Sequence, residues 1–135
     1  MITLRPISES TIILWGKPLH PITQEKKQII FDIISPLPGL LEAHLPYALF
    51  QGDKSSDHLL VLVFESEESI QLHHSEIVNL LADESPLIPS ITAVAIARNE
   101  LPARVKETQT LFFSTKNTVS TTNELLTGNV GEGKA

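Results

Sequence analysis

Cysteine is absent from the 135 residues of this chain. Its absence excludes structural disulfides, thiol nucleophiles and thiolate metal sites together. Aromatic residues are scarce, with five Phe, one Trp and one Tyr, so any core must be built mainly from Ile, Leu and Val. Basic residues do not cluster: the longest run is Lys26-Lys27, and sixteen acidic against ten basic residues leave a formal charge of -6. Such a surface offers little to a polyanion, so neither nucleic acid nor an anionic membrane is an expected partner. No apolar run approaches the roughly 18 residues of a membrane span. The opening "MITLRPISES" lacks the basic-then-apolar layout of a signal peptide, and a cytoplasmic location is expected.

What is present suits a single globular domain: 41% of the residues are hydrophobic. "TIILW", Thr11 to Trp15, is rich in β-branched residues and closed by Gly16 and Pro18, and it reads as a buried strand. Thr23 can cap a helix carrying Ile29, Ile30, Ile33, Ile34 and Leu37 at spacings of three and four, ended by Pro36, Pro38 and Gly39. Tyr47 to Phe50 and Leu59 to Phe64 read as a strand pair joined by the polar loop "GDKSSD". The second of these has no polar alternation and is expected mid-sheet. Ser66 with Glu67 and Glu68 has the chemistry of a helix start, and Ile70, Ile77, Val78 and Leu81 form that helix's apolar face. "ADESPLIPS" ends it, Ile91 to Ala97 is a further strand, and a short helix follows Asn99 through about Arg104 to Thr108. "TLFF", ending at Phe113, adds a strand-like segment.

The order β-α-β-β-α-β predicts an α+β fold of ferredoxin-like type. It comprises a four-stranded, mainly antiparallel sheet with two helices on one face, plus a short C-terminal helix. The other face is expected to be open, with Trp15, Tyr47 or "TLFF" lying on it. Residues 1–114 are read as one domain. Twelve of the 21 residues from Thr115 onward are Thr, Ser, Asn or Gly, so 115–135 is read as a flexible polar tail.

That tail contains "GNVGEGKA", in which Gly128, Gly133 and Lys134 have the spacing of a phosphate-binding P-loop. The motif works through a buried strand before it and a hydroxyl that holds magnesium. Here "NELLT" makes a poor core strand and Ala135 occupies the hydroxyl position, so nucleotide binding is not expected. His73-His74 are adjacent, about 100° apart on a helix, and a poor pair of metal ligands; His73 and Glu76 have i, i+3 spacing but lack further ligands. Glu65, Glu67 and Glu68 sit where a helix start favours acidic residues, and Asp53 and Asp57 lack the alternating ligands of a calcium loop. No catalytic, cofactor-binding or metal-binding residue is expected. The candidate functional residues are the aromatics Trp15, Tyr47, Phe112 and Phe113, as an interaction surface.

Four stretches together carry a family likeness: "LRPISES", "QIIFDIISPLPGLLEAHLPYALF", "HLLVLVFESEESI" and "ELPARVKETQTLFF". From about Leu4 to Phe113 the chain resembles the C-terminal domain of the bacterial enhanced serine sensitivity protein B (SseB) family. It departs from the family pattern at Leu111-Phe112-Phe113, where a Pro-Phe-Tyr ending is usual, and in "PYALF", which lacks a doubled alanine. Members often carry a further N-terminal domain, so the resemblance implies a stand-alone module or a piece of a longer protein. It implies no catalytic residue. The expected function is a non-enzymatic protein-interaction or regulatory module of the bacterial cytoplasm, binding an unidentified protein or a second copy of itself. A small-ligand sensor for amino acids or metabolites is the alternative, and a secretion-associated adaptor or chaperone a third.

Overall fold

A computed structural model describes residues 2–7, 11–82 and 90–115. The expected polar tail, Thr115 excepted, and the P-loop-like stretch within it lie outside the described residues, as does most of "ADESPLIPS". In chain order the elements are β1 (Ile2–Leu4), β2 (Ile13–Gly16), α1 (Gln24–Ile34), β3 (Leu40–His44), β4 (Tyr47–Phe50) and β5 (Asp57–Phe64). They continue with α2 (Glu67–Leu72), α3 (His74–Leu81), β6 (Ile91–Ala97), a 3-10 turn (Arg98–Glu100), α4 (Ala103–Glu107) and β7 (Leu111–Ser114).

The strands form a seven-stranded mixed sheet of order β1-β6-β5-β3-β7, with β4 also beside β5 and β2 beside β4. β1, β6 and β5 run parallel, whereas β3, β4, β7 and β2 pair antiparallel. β3 and β4 are two halves of one hairpin arm, since the register that pairs His44 with Val61 continues to pair Tyr47 with His58. Leu45 and Pro46 span the break, where the Leu59 N–H donates to the Pro46 carbonyl at 2.9 Å. Pro46 has no N–H for the ladder, which accounts for an interruption there.

This corrects the expected four-stranded, mainly antiparallel, ferredoxin-like sheet. Two of its strands, β5 and β6, are adjacent and parallel, linked by the α2–α3 crossover, with no strand inserted between them. "TIILW" supplies β2, which pairs with the far edge of β4 rather than with β5. The physical reason is burial: β5 and β6 are apolar on both faces, and strands of that kind favour parallel pairing beneath covering layers on both sides. Neither β1 nor β3 carries a strand signal in the sequence. The first has three residues, too few to show alternation, and the second, "LLEAH", lacks β-branched residues.

The expected open face is covered too. Leu60, Leu62 and Phe64 pack with Ile30, Ile34, Ile70, Ile77 and Leu81 of the helices. Leu59, Val61 and Val63 face the other way, into a second core with Ala48, Phe50, Val94, Ile96 and Val105. That second layer consists of β2, β4 and α4.

The helix starts follow local chemistry. Thr23 accepts from the Lys26 N–H at 3.3 Å and Ser66 from the Ser69 N–H at 3.1 Å, each satisfying a donor that the first turn leaves unpaired. The helix expected after Ser66 is broken in two at His73, whose φ of -105° and ψ of 13° leave the helical range.

Gly39 joins α1 to β3 at φ +79°, and a β-carbon there would lie 2.7 Å from Ser69 Oγ, whereas Gly52 at φ +95° faces open space. Gly39→Ala should therefore destabilise the protein by about 2 kcal/mol and Gly52→Ala by about 1 kcal/mol, the left-handed backbone costing both and the contact only the first. Urea unfolding of the two variants checks this; equal losses would show that Ser69 simply moves aside.

Candidate functional site

The crossover from β5 to β6 places α2 and α3 over one side of the sheet, while β2 lies over the other. β1 covers only the start of β6: Ile2, Thr3 and Leu4 pair with Ile91, Thr92 and Ala93, and the last contact is the Arg5 N–H donating to the Ala93 carbonyl at 2.7 Å. Beyond that point β6 runs on to Ala97, with Ile96 and Ala97 buried and with Pro6 and Ile7 following Arg5 into the lining of a groove. The two layers enclose this groove, of about 1330 Å³. Ile70, Val78 and Leu81 form the helical wall, Ile13 and Trp15 the β2 wall, and Ala95 and Ile96 line the sheet edge between them. The groove thus lies at the carboxyl ends of parallel strands, where open α/β sheets place their ligand sites because the following loops and helix starts diverge there.

Apolar residues dominate the lining, and its charged groups are few: Arg5, Glu67, His74 and Glu100. The Arg5 guanidinium carbon lies 3.7 Å from the Phe50 ring centroid, so this cation is already engaged with an aromatic face. Arg98 reaches Glu65 at 3.6 Å across the ends of β6 and β5, an exposed pair of small energetic weight. Glu67 and Glu100 have no ion-pair partner among the described residues.

The aromatics selected from the sequence are all half-buried and are not brought together. Trp15 packs on the second core and lines the groove. Tyr47, next to Trp15's partner Ala48 on β4, points to the opposite face of the strand pair and meets the His58 ring edge-on, with centroids 4.7 Å apart. Phe112 and Phe113 pack against the helix-side core, and Phe113 lies 5.4 Å from Phe31. Sequence reasoning missed the rest of the groove. Ile70, Val78 and Leu81 read from sequence as an apolar helix face with nothing to mark a groove, and the run from Ile2 to Ile7 carries no strand signal to place it beside β6.

A second, more polar groove of about 620 Å³ lies at the amino ends of β5 and β6, where Arg5, His20, Lys26 and His58 stand with Asp53 and Asp57. Its charges of both signs nearly balance. His73 Nδ1 stands 3.8 Å from Glu76 Oε1, the i, i+3 neighbour. Among the described residues no three His, Asp or Glu side chains come together to hold a metal ion, and no helix is long and apolar enough to cross a membrane.

Two histidines are perturbed. His44 is only 2% exposed, and its Nε2 lies 3.1 Å from Glu42 Oε1 while the buried Nδ1 has no partner among the described residues. Desolvation pushes its pKa below 6.5; the Glu42 carboxylate opposes this and Lys106 adds to it. His58 is lowered in the same sense, chiefly by burial, with Asp57 opposing and Lys27 reinforcing.

Comparison with protein-family models, with curated proteins and with solved structures finds no match to this chain.

Because both imidazoles resist protonation when folded, the unfolded chain takes up protons first as the pH falls. Their contribution is fully present above pH 6.5 and is lost as the pH drops toward the lowered folded values. Unfolding free energy should therefore rise with pH up to about 6.5, and the double variant His44→Gln, His58→Gln should flatten that slope; an unchanged slope would assign it to carboxylates. Phe113→Ala should cost about 2 kcal/mol in urea unfolding, since its ring contacts are intramolecular, and a neutral result would mark the ring as dispensable to the core.

Proposed function

We propose that this protein is a non-enzymatic protein-interaction module of the bacterial cytoplasm, and that its partner docks in the apolar groove between α2–α3 and β2. The observation that carries this reading is the groove itself: an apolar cleft of about 1330 Å³ between the helical layer and β2. Its size exceeds the range usual for small-molecule pockets, roughly 300–1,000 Å³. Its walls belong to packed elements, so a partner would meet a formed surface at small ordering cost. The likeness of the chain to the C-terminal domain of the SseB family supports a bacterial setting and brings no catalytic motif with it.

The alternative, a sensor of free amino acids, is less well supported. A free amino acid needs paired polar contacts for both its carboxylate and its ammonium group, whereas apolar residues dominate this lining. No observation favours the secretion-adaptor reading over the general one.

The test places a photo-crosslinking amino acid at Val78, on the groove wall and 39% exposed, and at Gln28, on the exposed side of α1, as the control. In bacterial lysate, a protein adduct is expected from position 78 and not from position 28. Adducts from neither position, together with a raised melting temperature in the presence of a free amino acid, would overturn the reading in favour of the sensor.

A further inference from the structure

The polar groove of about 620 Å³ lies at the other end of the sheet, where the chain enters β5 and β6. Separate parts of the chain bring charge to it: Arg5 follows β1, Lys26 belongs to the first turn of α1, Asp53 lies in the β4–β5 turn and Asp57 opens β5. These two cations and two carboxylates share the groove without pairing, since none of the four forms an ion pair among the described residues. The elements that carry them therefore hold opposite charges beyond contact distance. Stacking on Phe50, at 3.7 Å from its centroid, occupies one face of the Arg5 guanidinium and leaves its in-plane N–H donors, which have no partner among the described residues. Lys26 is the third residue of an eleven-residue helix, and Thr23 accepts from its N–H. A cation at that end opposes the helix dipole, whereas an anion beside it is favoured by dipole and lysine together.

From these features we propose that the polar groove is a second binding site, separate from the apolar one, for a small zwitterion whose carboxylate lies beside Arg5 and Lys26 and whose ammonium group lies beside Asp53 and Asp57. A simple anion would meet the two aspartates, and a simple cation the two basic residues. Only a ligand carrying both signs complements both sets. The volume of about 620 Å³ falls within the roughly 300–1,000 Å³ usual for small-molecule pockets. Ser55, Ser90 and Thr92 add hydroxyls to the lining, which suits a polar ligand rather than an apolar one. Two sources share this chemistry, a free amino acid and a short peptide with unblocked ends. They differ in how far apart the two charges stand.

Backbone amide shifts of the full chain, labelled with nitrogen-15, locate the ligand as well as detect it. Glycine and triglycine are each titrated to ~10 mM, a concentration that nearly fills a site of millimolar affinity. N-acetylglycine, which keeps only the carboxylate, and glycinamide, which keeps only the ammonium group, are titrated in parallel. Saturable shifts are expected at Asp53, Asp57 and Thr92 of the polar groove and not at Val78 of the apolar one, with the tighter of glycine and triglycine naming the source. Each singly charged probe should bind at least about fivefold more weakly than that zwitterion. Lys26 and Asp53 are exposed, so Lys26→Gln and Asp53→Asn test the charges at little risk to the fold. Each variant should weaken the zwitterion about threefold, Lys26→Gln leaving glycinamide and Asp53→Asn leaving N-acetylglycine unaffected. Equal binding of zwitterion and singly charged probes would overturn the ligand assignment. Shifts centred on Val78, or none with either zwitterion, would overturn the site.

Discussion

β5 has no polar face between Leu59 and Phe64, and the architecture answers that constraint. A strand with one wet side needs one covering layer; this one needs two. Leu60, Leu62 and Phe64 are sealed by the helices, and Leu59, Val61 and Val63 by the curled β2–β4 pair and α4. Burying each such side chain contributes about 1.5–3 kcal/mol, so leaving either face open would forfeit several of them at once. A four-stranded sheet with a bare second face was excluded by that arithmetic. The parallel neighbour β6 follows for the same reason, since it too is apolar on both sides and reaches β5 through helices that serve as one of the covers.

The groove is a by-product of how the two covers are made. One is a crossover between β5 and β6; the other comes from earlier and later parts of the chain. Nothing in their packing on β5 requires them to meet at the sheet's far edge. There, among the described residues, the strand beside β6 is β1, and its three residues pair with only the first half of it. The two layers stand on either side of the sheet here, and a cleft with mainly apolar walls lies between them.

Much of this was legible in the residues themselves, and the failures share one cause. The caps at Thr23 and Ser66, the α1 stripe and the central position of Leu59–Phe64 are local or periodic signals, and all are present in the structure. Pairing is not local. "TIILW" reads as a buried strand because it is β-branched, yet it pairs only with β4 among the described strands and leaves Ile12 and Leu14 exposed. Short partners such as Ile2–Leu4 and "LLEAH" have no period to read and become strands only because a neighbouring ladder has an edge to fill. Half-buried aromatics were equally ambiguous. Phe112 and Phe113 pack inward, whereas Trp15 serves core and groove together, and no composition rule separates these cases.

That double service of Trp15 extends to the whole groove and divides its residues by what they are free to change. Ile70 and Leu81 are wall and helix-side core at once, and Ile13 is wall and part of the second layer. Altering any of them taxes the fold before it alters recognition. Glu67 and Glu100 are different. They are exposed, they support no ion pair among the described residues, and Glu67 adds only the few tenths of a kcal/mol that an acidic first-turn residue contributes to a helix. Shape in this groove is therefore coupled to stability, while charge at its rim is nearly decoupled from it. Selection for a new partner can act on the rim at little structural cost. The apolar walls stay constant because β5 needs both of its covers.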